Sequence, residues 1–184
     1  MAEVLRRAPV DIAPGARADR DTAAAVPSLA RLLSGRRRVL CAIEPDETGR
    51  RIVARIAATL AGSNARLGVV SAAWFELPVD ASACLFPTPL DRRARLVVER
   101  QRALDRLVDE LRLSEAEVFA TAGVPSREIL DVARLWNADL VLYARSAGTG
   151  LRPRQGRTGP AIAGLGDDGS PQAGTCVDRL LARR

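Results

Sequence analysis

The 184-residue chain contains no histidine and no lysine, and the missing histidine restricts the chemistry that it can perform. Without histidine, the Ser–His and Cys–His arrangements of hydrolases are excluded, and a zinc site of the ordinary type is not expected. The three cysteines, Cys41, Cys84 and Cys176, show no Cys-x-x-Cys spacing, which argues against a metal knuckle. We therefore predict no catalytic residues and no metal site.

Long apolar runs and aromatic clusters are also missing. No run approaches the roughly 18 apolar residues of a membrane span, and aromatic residues make up only 3% of the chain. All 28 basic residues are arginine, but they are interspersed with acidic residues and form no basic face with stacking aromatics. We expect neither a membrane nor a nucleic acid as partner. The N-terminus lacks the apolar core of a secretory signal, so the expected compartment is the cytoplasm.

Composition divides the chain into a leader and one domain. Residues 1–35 are rich in Ala, Pro, Arg and Asp without a sustained period, so they are predicted to be a flexible leader. Its end, PSLARLLSG, is at most one short helix. Residues 36–184 form the predicted domain, in which about 152–172 are dominated by Gly, Pro and polar residues and are predicted to be a flexible insert.

From Arg38 to Arg145, strand-like apolar runs alternate with helical periodicity, which is typical of βαβ units. The strands are predicted in RVLCAIE, ARLGVVSAAWF, AEVFATAG and ADLVLYAR. Helices are predicted at about 48–61, 91–112 and 126–136, with Asp46 or Thr48 capping the first and Ser126 the third. The sequence therefore predicts an α/β fold with a doubly wound parallel sheet of about four strands and flanking helices.

Three stretches occur in an order that resembles the universal stress protein family. They are RVLCAIEPDETGRRIVARIAATLA, NARLGVVSA and AGVPSREILDVARLWNADLVLYARSAGTG. The resemblance covers about residues 36–151 and implies the adenine nucleotide alpha hydrolase-like fold. It also implies a cytoplasmic stress-response protein that forms a homodimer and binds an adenine nucleotide, such as ATP with Mg.

Glu44 is the first candidate site residue that the resemblance implies. In nucleotide-binding members an acidic residue, usually Asp, ends the first strand and contacts the adenosine part of ATP, and Glu44 occupies this position. A carboxylate there can accept hydrogen bonds from ribose, because ligands of open α/β sheets lie beyond the carboxyl ends of the strands. The alternative is that Glu44 only accepts backbone N–H groups at the strand-to-helix turn.

The family's phosphate loop, Gly-x2-Gly after the fourth strand, is altered here. Ala144 and Ala147 occupy the two glycine positions, and we expect the Cβ of Ala144 to crowd whatever lies against it. Gly148 and Gly150 lie nearby and could supply a shifted loop. Glycines are favoured in such loops because backbone N–H groups must approach phosphate oxygens closely.

In the family the motif ends with Gly-Ser or Gly-Thr at the start of an apolar helix. AGTCVDRLLARR resembles this last part, with Gly174 and Thr175 at the Gly-Ser/Thr position, but a longer stretch of chain separates it from Ala147. The family's fifth strand, which normally follows this helix, has no counterpart before Arg184. We therefore expect four strands, or a sheet completed by the N-terminal segment. The candidate nucleotide-binding residues are Glu44, Ala144, Ala147, Gly148, Gly150, Gly174 and Thr175.

Two functions stay open. One is a stress-response protein that binds ATP or another adenine nucleotide and signals by occupancy or slow hydrolysis, which Glu44, Gly123 and the loop glycines favour. The other is a degenerate member that acts as a protein-interaction or regulatory module without a nucleotide, which Ala144, Ala147 and the long spacer favour. A metabolic enzyme on the same sheet is disfavoured because the chain lacks a nucleophile–base pair.

Overall fold

A computed structural model describes residues 28–76, 88–144 and 159–172 of the chain. Helices and strands alternate from the first strand to the fourth, as predicted. The elements are, in chain order, α1 (Leu29–Leu33), β1 (Arg38–Ala42), α2 (Glu47–Leu60), β2 (Arg66–Trp74), α3 (Pro89–Glu110), β3 (Glu117–Gly123), α4 (Pro125–Leu135), β4 (Leu140–Ala144) and β5 (Ala161–Leu165).

The five strands form one parallel sheet in the order β3-β2-β1-β4-β5. β1 lies near the centre, where Val39 pairs with Leu67 of β2 on one side and with Leu140 of β4 on the other. The chain proceeds outward from β1 to β3 and then crosses back to β4, so the strand order reverses between β1 and β4. The predicted doubly wound parallel sheet is confirmed.

Both faces of the sheet are covered. Val39 and Cys41 belong to a core cluster shared with α1, α2 and α3, whereas Leu40 and Ala42 belong to a second cluster shared with α4. Successive side chains of a strand point to opposite faces, so β1 must be apolar at each buried position from Val39 to Ala42. This is why the sequence of β1 is a continuous apolar run.

The three long helices begin and end within two residues of their predicted bounds. Asp46 caps α2 as predicted, because its side chain accepts a hydrogen bond from the backbone N–H of Gly49. The prediction for Ser126 is wrong. Val124 is the N-cap of α4 and makes no side-chain cap bond, because its side chain is apolar, and Pro125 occupies the first helical position. None of the helices in the described ranges is long and apolar enough to cross a membrane.

The sheet has one strand more than predicted. β5 pairs with β4 from Ala161 beside Leu140 to Leu165 beside Ala144, and it lies inside the segment predicted to be a flexible insert. That expectation is wrong for these residues, because the backbone of β5 is paired to β4, and Ala163 and Leu165 are fully buried in the core. β5, and not the N-terminal segment, therefore lies beside β4.

Only the end of the predicted leader belongs to the described residues, since residues 1–27 lie outside them. α1 is the short helix anticipated in PSLARLLSG, and Ser28 caps it by accepting a hydrogen bond from the N–H of Arg31. Leu29, Leu32 and Leu33 are buried in the cluster that contains α2. The division of the chain into a leader and a domain stays a prediction.

Candidate functional site

The carboxyl ends of β1 and β4 lie side by side, with Ala42 as the register partner of Tyr143. After β1 the chain turns to α2 on one face of the sheet, whereas β4 is reached by a crossover through α4 on the other face. In open α/β sheets such a reversal leaves a crevice beyond the strand ends in which ligands bind. Glu44 follows β1 by two residues and lies at this crevice.

The turn that carries Glu44 is tightly packed against α2. Oδ1 of Asp46 accepts a hydrogen bond of 2.7 Å from the backbone N–H of Gly49. A Cβ at Gly49 would overlap the carbonyl oxygen of Glu44, so the first turn of α2 lies directly on the backbone of the site residue. The turn therefore requires glycine at position 49, which the sequence analysis did not identify.

The carboxylate of Glu44 is paired with an arginine from α3. Nη1 of Arg100 donates to Oε2 of Glu44 and also to Oγ of Ser71 on β2, at 3.4 Å. The Glu44 and Arg100 side chains are 32% and 28% exposed, so the pair is partly shielded from water. The alternative role, in which the Glu44 side chain only accepts backbone N–H groups, is not seen among the described residues. Among the described residues, no hydrogen bond reaches its other oxygen, Oε1.

Arg100 was not among the predicted site residues, although its position in the sequence carried a signal. Leu96, Leu104 and Val108 are spaced by multiples of four residues along α3, and Leu104 and Val108 are buried. Arg100 lies on this same stripe. A charged side chain at such a position needs a partner, because an unpaired charge that is shielded from water is unfavourable.

Ala144 lies at the end of β4 and is 2% exposed. It belongs to the core cluster on the α2 and α3 face, beside Ile43 and Leu165. Its methyl group therefore packs into the core. The Cβ of Ala144 crowds core side chains, and it does not crowd the crevice. The remaining candidates lie outside the described residues: Ala147, Gly148, Gly150, Gly174 and Thr175.

Strands β2 and β3 extend beyond the carboxyl ends of β1 and β4. Val70 is the register partner of Ala42, and β2 continues for four residues to Trp74, which pairs with Gly123 at the end of β3. Trp74 is 61% exposed, whereas Trp136 is only 7% exposed.

The end of edge strand β3 is held between α3 and α4. Nε of Arg93 donates to the carbonyl oxygen of Ala122 at 2.9 Å, and its Nη2 lies 3.7 Å from Oε1 of Glu128. A Cβ at Gly123 would overlap the carboxylate of Glu128. Glycine at position 123 therefore leaves room for the Glu128 side chain.

Cys41 lies in β1 below the crevice and is fully buried. Burial raises the pKa of its thiol from 9.0 to about 12. The reactive form of cysteine is the thiolate, so Cys41 is not a nucleophile at neutral pH. Within the described ranges, no group of three His, Cys, Asp or Glu residues could hold a metal ion.

A second cavity lies at the opposite end of the sheet. This open groove of about 660 Å³ is bounded by the end of α2 and the residues that precede β3, with Leu60, Leu67 and Leu113 among its lining. The ion pair between Arg66 and Glu117, at 3.8 Å, lies at its edge. Its lining mixes polar and apolar residues, and it lies away from the strand reversal between β1 and β4, so it is not the candidate site.

Residues 35–157 match the sequence profile of the universal stress protein family. No curated protein matches the chain significantly. Among solved structures, a universal stress protein in complex with cAMP is similar with 19% identity and a TM-score of 0.47, over 70% of this chain and 97% of that one. A hypothetical protein whose biochemical function was assigned from its structure has 12% identity and a TM-score of 0.52, over 71% and 95%.

A protein of the universal stress protein family from Burkholderia pseudomallei is 17% identical with a TM-score of 0.40, over 68% of this chain and 93% of that one. At such identities the likeness concerns the fold alone. The family profile, in contrast, spans more than half of the chain and includes the strands and helices from β1 to β4. The chain therefore belongs to the universal stress protein family.

Proposed function

We propose that this protein binds an adenine nucleotide across the carboxyl ends of β1 and β4, and that occupancy of this site is its signal in the stress response. The observation that supports this most directly is the state of Glu44. One carboxylate oxygen is held by Arg100, and the other has no partner among the described residues. An anchored carboxylate with an available oxygen can accept hydrogen bonds from the ribose hydroxyls of adenosine.

The phosphates would lie on the β4 side of Glu44. There the backbone from Ala147 to Gly150, with Gly174 and Thr175, is proposed to surround them, because glycine-rich backbone and a helix N-terminus both favour phosphate oxygens. Mg²⁺ would accompany ATP through the phosphates themselves, as this ion commonly does. The packing of Ala144 into the core supports the proposal, since its methyl group does not fill the crevice.

Direct titration tests the proposal. Thermal unfolding and calorimetry are measured with ATP, AMP and cAMP, each with and without Mg²⁺, and ribose 5-phosphate is the control without a base. A ligand that binds only the native state stabilises it by RT ln(1 + [L]/Kd), which is about 1.4 kcal/mol at 1 mM ligand and a Kd of about 0.1 mM. If none of the three nucleotides stabilises the protein at millimolar concentration, the proposal is wrong.

The second candidate function is an interaction or regulatory module that binds no nucleotide. The pairing of Glu44 with Arg100 favours it, because the carboxylate already has a partner within the fold. The same titrations separate the two functions, since such a module would show no nucleotide-dependent stabilisation. Its activity would instead lie in binding another protein.

We also propose that the protein acts in the cytoplasm as a homodimer. Within the described ranges β3 and β5 are the edge strands of the sheet, and edge strands carry backbone groups that can pair with a second chain. Sedimentation equilibrium of the full chain tests this point, and a monomer at micromolar concentration would contradict it.

A further inference from the structure

We propose that the outer edge of β3 is the surface on which a second copy of this chain pairs, and that the two copies meet antiparallel about a two-fold axis at Phe119. This inference rests on the proposed homodimer and selects between its two edge strands. It is independent of the nucleotide, because the edge of β3 lies away from the crevice between β1 and β4.

The outer edge of β5 is already paired with its own chain. On the side that faces away from β4, the N–H of Gly166 donates to the carbonyl oxygen of Ser170 at 2.8 Å, and the N–H of Gln172 donates to that of Gly164 at 3.1 Å. The chain after β5 therefore returns antiparallel along this edge. Pro171, between the two bonds, has no N–H to offer a further strand, and proline of this kind protects sheet edges from pairing.

The outer edge of β3 is open over its central residues. The carbonyl oxygen of Gly123 accepts a hydrogen bond from the N–H of Phe75 on the β2 side, and alternate residues of a parallel strand direct their backbone groups to opposite sides. The N–H and carbonyl groups of Val118 and Ala120 therefore point away from β2, and no backbone partner meets them among the described residues. Each residue from Val118 to Thr121 is partly exposed, whereas four of the five residues of β5 are buried.

Arg93 ends this open stretch and so defines the register. Its Nε donates to the carbonyl oxygen of Ala122, the next outward group along β3, at 2.9 Å. A second strand can therefore pair with Val118 and Ala120 and must stop before Ala122. Two antiparallel copies satisfy this condition when they are centred on Phe119, because Val118 of each copy then lies opposite Ala120 of the other and each such pair exchanges both of its N–H···O bonds. The two Phe119 rings face each other in this register, which is a favourable cross-strand pair.

The charges at the two ends of β3 match those of an antiparallel second copy. Arg93, whose side chain is 48% exposed, lies at the carboxyl end, and the exposed acids Glu115 and Glu117 lie at the amino end. In the register centred on Phe119, Ala122 of one copy lies opposite residue 116 of the other, so Arg93 meets both acids. The ion pairs of Arg93 and Glu117 within the chain are long, at 3.7 and 3.8 Å. A parallel copy would instead set like charges against each other, which is destabilising.

Sedimentation equilibrium of the full chain tests the charge match. Glu115→Arg sets a like charge against Arg93, and the two-fold axis repeats the change, so the dissociation constant of the dimer should rise about fivefold or more. Asp167→Arg is the matched control, because it makes the same charge change in the exposed turn after β5. It should leave the dissociation constant unchanged, and equal effects of the two variants would contradict the inference.

Ala120→Pro tests the main-chain bonds. It removes an outward N–H that has no backbone partner among the described residues, so the subunit should stay folded while the dissociation constant rises about tenfold or more. Circular dichroism and urea unfolding check the fold, and Glu115→Arg decides alone if Ala120→Pro does not fold. If the parent is a dimer and the folded variants dimerise as tightly as it does, the β3 edge is not the surface and the proposed homodimer stands. If the parent is a monomer at micromolar concentration, the homodimer fails and this inference fails with it.

Discussion

Arg100 of α3 donates a hydrogen bond to the carboxylate of Glu44, which lies 56 residues earlier in the chain. The bond joins the middle of a long helix to the turn between β1 and α2. Both side chains lose conformational freedom when the protein folds, so this entropy is not lost again when a ligand binds. Such preorganisation lowers the entropic cost of binding, so under the proposed function the pair holds the second oxygen of Glu44 ready for a ligand.

Replacing Glu44 by Gln should separate binding from stability. We expect the affinity for AMP to fall about tenfold, because hydrogen bonds to a charged group contribute about 1.5–3 kcal/mol. The free energy of unfolding should fall by less than about 1 kcal/mol, since the ion pair with Arg100 is partly exposed. Calorimetry and urea unfolding measure the two quantities. Glu47→Gln, at an exposed acid of α2, is the control, and equal effects of both variants on affinity would contradict the assignment.

Gly49→Ala should disturb the turn that carries Glu44. The new Cβ would overlap the carbonyl oxygen of Glu44, so either the backbone or α2 must shift. Overpacking of this kind typically costs about 1–3 kcal/mol, and urea unfolding should show a loss of this size. Gly159→Ala is the matched control, because a Cβ there has nothing within 4 Å. A stability of Gly49→Ala equal to that of the control would show that the turn is more open than described.

Ala144→Gly should leave nucleotide affinity unchanged or improve it, because it restores the glycine of the family pattern. It should also lower stability by about 1 kcal/mol, since a buried methyl group is lost and the unfolded chain gains freedom. Ala163→Gly removes a buried methyl group from β5 and serves as the control for the stability term. A marked loss of ATP affinity in Ala144→Gly alone would count against the proposed position of the phosphates.

Gly174→Val tests the phosphate side of the proposed site. A side chain at this position should block the approach of backbone N–H groups to phosphate oxygens, and we expect ATP affinity to fall about tenfold or more. Calorimetric titration measures the change, with Gly159→Val as the control. If Gly174→Val binds ATP as tightly as the parent, Gly174 has no part in the site.

Cys41 should make stability depend on pH in alkaline solution. Its thiol has a pKa of about 12 in the folded protein and 9.0 as the reference, so the unfolded chain releases this proton first. The contribution of Cys41 is therefore fully present below about pH 9 and is lost as the pH rises toward 12. Unfolding midpoints measured across this range should fall less steeply in Cys41→Ala than in the parent. Parallel pH profiles would contradict the inference.

Local patterns were sufficient for the regular elements between β1 and β4. The helical stripes of α2, α3 and α4 and the apolar runs of the central strands are dictated by burial, which acts through each residue's position on its own element. The role of Asp46 as a cap was equally local, because donor and acceptor are three residues apart. Ser126 was assigned wrongly because Pro125 moves the start of α4 one residue earlier.

β5 could not be predicted in this way. AIAGL is short and lies among Gly, Pro and polar residues, so its own composition is typical of a loop. Its strand conformation depends on hydrogen bonds to β4, and a sequence does not show which backbone will be available beside it. The pairing of distant segments decides such a strand.

The alternation of elements, the cap of α2 and the acidic residue after the first strand could be read from the sequence, because they depend on neighbours within a few residues. That Glu44 is held by Arg100 and that Ala144 faces the core depends instead on tertiary packing. The reason is physical: each depends on how separate elements pack and in which register the strands pair. These contacts form only when the chain folds and buries its core.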